Sequence, residues 1–406
     1  MANPLSAKRI ILGVSGSIAA YKAADLASKL AQAGAQVDTI LTGAATRFVT
    51  PLTFQSVTGR RAYTDDDLWG AEAHVLHIGL GQQADLLVVA PATANTLAKL
   101  AHGRADDLLS ITALAAECPL LVAPAMDGGM YSHAATQANL TTLAGRGAQI
   151  VGPEVGHLAS GLQAKGRLTE PALLLGHIRF LLSQGGPLAG RKIVVTAGGT
   201  REALDPVRYL TNRSSGKQGL ALAQAAADAG ADVVLINASR NLSAPVGVEH
   251  LPVDSAREMQ EAVLHACAEA DVLLMAAAVA DFRPSAMADQ KIKKGDGLSS
   301  IELTANPDIL LSVAEARATA GRPRLVVGFA AETRDLLDHA RAKLARKNLD
   351  LIVANDVSAS DAGFDVDTNR VVLLDRAGEA TRLPLMSKAD VADAVLAEVR
   401  ARLDAA

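Results

Sequence analysis

A short β-branched run that collapses into small residues occurs twice in this chain, at residues 8–22, where it reopens as a helical pattern, and again at 191–200, where it ends in a Gly-Gly turn. Each reads as a strand entering a tight turn. The halves echo one another further. LASKLAQAGAQVDTIL at 26–41 matches LAQAAADAGADVVLIN at 222–237, and ADLLVVAPATAN at 84–95 matches ADVLLMAAAVAD at 270–281. Strands alternating with helices through short glycine turns demand parallel sheets, because parallel neighbours need crossovers and the crossovers become helices on both faces. The expected fold is α/β, built as two three-layer doubly wound domains. Gly and Pro gather just after a helical stretch at 173–182, which places a first domain at 1–183, a linker at 184–190 and a second domain at 191–406. Near the end, residues 370–374 and 379–384 flank a turn and predict a β-hairpin, followed by a helix from Ser387.

Composition narrows the function classes. The chain has 406 residues, half of them hydrophobic, enough to bury two cores without staples. A net charge of -4 and 3% aromatic residues leave neither a basic surplus for a polyanionic duplex nor rings for stacking bases, so nucleic-acid binding is excluded as an expectation. Cys118 and Cys267 sit in apolar surroundings and read as buried reduced thiols, which fits the cytoplasm. No long apolar leader and no charge-free stretch of about 18 residues is found, so no targeting or membrane-spanning segment is expected.

In open parallel sheets ligands sit outside the carboxyl ends of the strands, so the residues just after each strand carry the chemistry. Ser15, Gly16, Ser17 and Ile18 follow the first strand, where hydroxyls and backbone N–H groups converge at a helix start and suit a phosphate. A serine-capped turn is the competing reading. Pro91–Asn95 follows the strand at 86–90, and Pro124–Tyr131 follows the strand at 120–123.

In this order and at these strand ends, the three motifs resemble those of the flavin-dependent cysteine decarboxylases. The resemblance implies a flavodoxin-like flavoprotein domain that holds the FMN phosphate on the Ser15–Ile18 turn, with Thr42, Pro91, Ala92, Thr93, Asn95 and Met126 along the flavin. It implies that His77 is the catalytic histidine, whose imidazole is suited to taking up and releasing a proton. Asp127 stands where the family carries Asn, and Ser160, in Leu158–Gly161, stands where the family offers a cysteine as proton donor. An ionised Asp127 repels a substrate carboxylate unless it is protonated or paired, and a hydroxyl is a weaker acid than a thiol. Another donor within 156–167 is the alternative. Two readings of this half follow: an FMN-dependent phosphopantothenoylcysteine decarboxylase, or a lapsed decarboxylase kept as a flavin-binding scaffold or regulatory module.

The segment 198–219 is denser in polar groups than a connector needs. Asn212, Ser214, Ser215, Gly216 and Lys217 lead into a helix start, where hydroxyls, amides and a lysine can grip a phosphorylated substrate. A capped loop with solvated charges is the bland alternative. Further on come Met275–Asp281, Lys291–Lys294, Asn306–Ile309, Gly328–Thr333, and Lys343 and Lys347 four apart on one helical face. This set resembles the phosphopantothenoylcysteine synthetases, and the fusion of the two halves is similar to the bifunctional coenzyme A biosynthesis proteins of bacteria. The resemblance implies a Rossmann-like, CTP-dependent phosphopantothenate-cysteine ligase. Met275, Ala276, Ala277, Asp281, Phe329 and the run Pro307, Asp308, Ile309 and Leu310 would line the CTP site, with Lys291, Lys343 and Lys347 toward its phosphates and Asn212 near the acyl-cytidylate. It further implies 4'-phosphopantothenate, L-cysteine and phosphopantothenoylcysteine as substrates and Mg2+ with the nucleotide. A homo-oligomer with a trimeric decarboxylase and a dimeric ligase is implied as well. Metal ligands are left unassigned.

The rival enzyme class is a nicotinamide-dependent dehydrogenase, but neither half carries G-x-G-x-x-G after a strand with an acidic residue about 20 positions on. No H-E-x-x-H or C-x-x-C spacing supports a metal hydrolase.

Overall fold

The computed structural model describes residues 3–69, 73–293, 300–332, 336–356 and 366–405. The chain divides into two compact units, Asn3–Leu182 and a second that begins at Ser183.

The first unit carries β1 (Arg9–Val14), β2 (Gln36–Leu41), β3 (Ala62–Tyr63), β4 (Leu86–Ala92), β5 (Leu120–Pro124) and β6 (Gln149–Ile150) in one sheet, ordered β3-β2-β1-β4-β5-β6. Every pair in it is parallel. With the two-residue β3 set aside, the order becomes 2-1-3-4-5, the flavodoxin-like arrangement, whose switch point falls between β1 and β4. Alternate residues of β1 serve opposite layers, as the pleat requires. Ile10, Leu12 and Val14 pack with Leu26 and Leu30, while Ile11 packs with Leu97 and Leu109. A hairpin, β7 (Glu154–His157) and β8 (Gln163–Arg167), stands outside the sheet.

The second unit begins with β9 (Lys192–Ala197), the small hairpin β10 (Arg201–Ala203) and β11 (Tyr209–Thr211), then β12 (Asp232–Asn237), β13 (Glu249–Pro252) and β14 (Val272–Met275). A second small hairpin follows, β15 (Phe282–Pro284) and β16 (Leu303–Ala305), then β17 (Leu325–Glu332), β18 (Leu351–Asp356), β19 (Thr368–Asn369), β20 (Val371–Asp375), β21 (Ala380–Arg382) and β22 (Met386–Ser387). The main sheet runs β13-β12-β9-β14-β17-β18-β20-β21, with its switch point between β9 and β14. Only β20 is reversed, pairing antiparallel with β18 and with β21, its partner in the expected hairpin. Helices Lys217–Asp228 and Lys388–Ala405 cover one face through Leu222, Ala226, Val395 and Leu396. Helices Ala256–Cys267 and Ile309–Ala320 cover the other through Met259, Val263 and Val313.

Residues 184–190, expected as a linker, lie in the second unit. Leu188 is 2% exposed in its core and its N–H donates to the Ala229 carbonyl at 2.8 Å. Burying that leucine outweighs the flexibility that glycine and proline suggest. Both cysteines are free, and burial pushes the Cys267 thiol up to about 12. Among the described residues no helix is long and apolar enough to cross a membrane.

Candidate functional site

In the first unit, the turn after β1 and the turn after β4 are laced together at the switch point. The ladder between β4 and β5 loses register between Val89 and Ala92, and Pro91 sits in that break. The Ser15 hydroxyl donates to the Pro91 carbonyl at 2.6 Å and accepts from the Thr93 N–H at 3.0 Å. Ser15 is 1% exposed, and its proton is committed to the neighbouring turn. Sequence reasoning made Ser15 and Ser17 equal phosphate ligands, whereas the structure separates them: Ser15 shapes the turn and Ser17 faces a cleft. Thr93 caps helix Ala94–His102, and Asn95 is exposed in its first turn. Thr42 is buried and caps the Ala45 N–H at 3.3 Å.

The cleft, of about 310 Å³, is walled by Ser17, Ile18, Tyr21 and Met126 and roofed by Leu158, Ala159 and Ser160 from the β7–β8 turn. Met126 is held because its N–H donates to the Gly166 carbonyl at 3.0 Å, and a Cβ on Gly166 would lie 2.1 Å from the Met126 oxygen. Asp127 and Ser160 meet there. The Ser160 hydroxyl donates to Asp127 Oδ2 at 2.6 Å and the Gly129 N–H to Oδ1 at 2.9 Å. The Ser160 bond, and after it the Gly129 amide, holds the Asp127 carboxyl below the usual carboxylate range, so it is ionised and paired. Lys22, His157 and Arg167 also line the cleft, with Asp127 the one acid among its lining residues, which suits an anionic ligand. Lys22 is 8% exposed and bonds Glu170 at 2.8 Å. The sequence did not single out Lys22, although a lysine on the buried face of helix Ala20–Gln32 is a visible signal.

His77 falls on helix Ala73–Gln83 and is not among the cleft's lining residues; its Nδ1 is buried with no hydrogen-bond partner in the chain. It shares that state with the Thr39, Thr112 and Thr169 hydroxyls, but among the described residues of this half it is the one such atom on a group able to take up and release a proton at a ring nitrogen.

In the second unit the same lacing recurs. Thr196 Oγ1 accepts from the Ala277 N–H at 3.0 Å and Thr200 Oγ1 from the Ala280 N–H at 2.9 Å, while Gly199 and Ala278 form a parallel bridge. Two clefts open on either side of this seam and share Ala277, Ala278, Phe329 and Ala330 as a common wall.

The larger, of about 350 Å³, gathers Met275, Asp281, Pro307–Leu310, Lys343 and Lys347. Lys343 lies on helix Leu336–Arg346, and Lys347 follows just past its end, its Nζ 3.1 Å from Asp308 Oδ2. Asn306 Nδ2 donates to the Ala280 carbonyl at 2.8 Å, joining the two strand ends that frame Asp281. Ala276 lines the smaller cleft instead. Lys291, expected with the other phosphate lysines, is exposed and is not among the lining residues of either cleft. Lys294 and Thr333 lie outside the described residues.

The smaller cleft, of about 130 Å³, is formed by Ser214, Ser215, Gly216 and Lys217 facing Asn355, Asn369 and Lys388. Asn212 reaches across the seam, its Nδ2 donating to the Ala278 and Val279 carbonyls at 3.3 and 3.1 Å. Lys217 Nζ pairs with Asp367 at 2.6 Å, and that ammonium keeps the Asp367 carboxyl low. Gln218, Asn369 and Lys388 were not legible as site residues. Asn369 Nδ2 bonds Gln218 Oε1 at 2.9 Å across 151 positions, a juxtaposition only the folded sheet creates.

Comparison with known proteins matches residues 2–179 to the flavoprotein family and residues 188–403 to the DNA/pantothenate metabolism flavoprotein C-terminal domain family. The coenzyme A biosynthesis bifunctional protein CoaBC of Bacillus subtilis is 47% identical over 400 residues, covering 98% of each chain. Its counterpart in Mycobacterium bovis is 48% identical over 401 residues, covering 96% of this chain and 95% of the relative. Among solved structures, the C-terminal domain of a CoaBC protein aligns over 55% of this chain and 100% of its own, with 37% identity and a TM-score of 0.47. A PPC decarboxylase mutant complexed with pantothenoylaminoethenethiol aligns over 43% of this chain and 97% of its own, with 34% identity and a TM-score of 0.40.

Proposed function

The chain belongs to the family of coenzyme A biosynthesis bifunctional proteins, enzymes that combine a decarboxylase and a ligase, and on that premise we propose how its clefts divide the chemistry. The second unit binds CTP in the larger cleft and 4'-phosphopantothenate in the smaller one. The observation that supports this reading is the wall the two clefts share, Ala277, Ala278, Phe329 and Ala330, across which a ligand in one would adjoin a ligand in the other. A carboxylate is a poor electrophile, and oxide is a poor leaving group. The pantothenate carboxylate attacks the α-phosphorus, pyrophosphate leaves, and the acyl-cytidylate is then opened by the amine of L-cysteine, which expels CMP.

Lys343 and Lys347 offset the charge growing on pyrophosphate, Lys347 trading Asp308 for the nucleotide. Lys291 supplies a third cation from its loop. Asp281 and the backbone around Ala280 read the cytosine edge. Ser214–Lys217 and the N-terminus of helix Lys217–Asp228 take the substrate phosphate. Asn212 sits at the seam, where the mixed anhydride forms. Mg2+ arrives on the triphosphate, since no cluster of three His, Cys, Asp or Glu suited to a metal occurs among the described residues.

The first unit fits FMN: Ser17, Ile18 and Met126 wall the cleft beside the first strand's turn, and that turn is held tight because a Cβ on Gly16 would lie 2.4 Å from Ala44 Cβ. Bound there, FMN would supply a two-electron acceptor for the hydride of the thiol-bearing carbon during CO2 loss and return it to the enethiol that remains. Lys22, His157 and Arg167 orient the anionic substrate, and the Ser160 hydroxyl stands over it. His77 moves a proton at its ring nitrogen, and because it is not part of its own chain's cleft, a second copy completes the site in a homo-oligomer. The Ser160–Asp127 bond also favours a second reading, in which these groups satisfy each other and this half only holds flavin.

One incubation separates the readings: 4'-phosphopantothenate, L-cysteine, CTP and Mg2+, following pyrophosphate, CO2 and flavin absorbance. Pyrophosphate and CO2 together are expected. Pyrophosphate without CO2 leaves the scaffold reading for the first unit, and absence of pyrophosphate discards the ligase assignment.

A further inference from the structure

Asp205 lies in the turn between β10 and β11 and is 2% exposed. Its Oδ1 accepts from the backbone N–H groups of Val207 and Arg208, both at 2.8 Å. Its Oδ2 accepts from Arg208 Nε at 2.9 Å and Nη2 at 2.5 Å, and from the Ile292 N–H at 3.2 Å. Arg208 Nη2 closes the circuit by donating to the Ile292 carbonyl at 2.7 Å, and the Ala288 N–H donates to the Leu204 carbonyl at 3.0 Å. The two backbone amides suffice to shape the turn, as an Asx turn does. A buried carboxylate is costly unless it is paired and hydrogen-bonded, and one of the donors that satisfy Asp205, the Ile292 N–H, belongs to a segment 87 positions away.

What it holds is the segment 288–292, which bears Lys291. The far end of the same β10–β11 stretch bears Asn212, bonded over Ala278 and Val279. One short piece of chain therefore fixes both the loop of the exposed lysine and the amide at the seam.

We propose that Asp205 is a positioning residue that anchors the Lys291 loop to the β10–β11 hairpin and so keeps Lys291 in register with Asn212 for the nucleotide step. The proposal rests on the reading of Lys291 as a nucleotide lysine. Without the anchor, ordering the loop is left to each binding event, so the loss falls on pyrophosphate formation.

Asp205→Asn keeps an oxygen for the turn and removes the charge; Asp205→Ser keeps a turn-capping hydroxyl but is too short to reach Ile292. In the full-length enzyme both are expected to lower kcat/KM for CTP by about 10- to 100-fold while the KM for 4'-phosphopantothenate moves less than about twofold. In a Lys291→Ala background either substitution is expected to cost less than about twofold, because it acts through the lysine already removed. A purely structural role would give losses that multiply, and multiplied losses overturn the proposal. Full pyrophosphate formation in Asp205→Asn overturns it as well, as does loss of the folded second unit, by circular dichroism, in both Asp205 variants. Full activity of Lys291→Ala alone removes the Lys291 reading together with the proposal, whereas an impaired Lys291→Ala with multiplied losses removes the anchor only.

Discussion

Asp127 shows what a single residue decides. Its carboxylate is ionised, bonded to Ser160 and Gly129, and lines the cleft proposed above to receive a carboxylate substrate. Asp127→Asn should lower the KM for phosphopantothenoylcysteine by about three- to tenfold at low salt, with the gain shrinking as added salt screens the charge. Because Ser160 holds the carboxyl below the ordinary range, the group stays charged throughout neutral pH. The gain should therefore be flat from about pH 6 to 9. Steady-state kinetics checks this, and a raised KM would show that the carboxylate helps binding. At this scale the sequence was a partial guide. Strand-end motifs marked Ser17, Met126 and Asp281, and helical spacing marked Lys343, because position after a strand and on a helix face are local properties. They could not show that the Ser15 hydroxyl serves Pro91, 76 positions away, or that Lys22 meets Glu170 across 148. Hydrogen-bond partners are set by tertiary approach.

Helix Ala73–Gln83 carries Gly81 in its interior, where alanine would favour the helix by about 1 kcal/mol. The reason for glycine is approach: a Cβ there would lie 2.9 Å from the Ala115 carbonyl carbon and the Ala116 nitrogen. Those are backbone atoms, unable to rotate away. Gly81→Ala should therefore destabilise the first unit by about 1–2 kcal/mol, overpacking outweighing the propensity gain, and slow decarboxylation by moving His77. A melting temperature with a CO2 assay tests both, and an unshifted melt would sink the argument. Elements long enough to show periodicity were legible, including the C-terminal hairpin and helix. The hairpins β10–β11 and β15–β16 were not, since three-residue strands leave no period to read.

On the scale of the molecule, each unit buries both faces of its own sheet, with separate clusters in each. Calorimetry should therefore resolve two transitions, and CTP should raise only one of them, by mass action on the folded second unit. A single transition shifted as a whole would contradict independent cores. The matching segments of the two halves, each alternating strand and helix, are why fold class was readable from the sequence, whereas the packing of 184–190 into the second unit through Leu188 was not.

Those separate cores also bear on heredity. A lesion that melts one half leaves the other its own scaffold, so two defective alleles, one broken before residue 182 and one after 183, should together sustain a cell that neither supports alone.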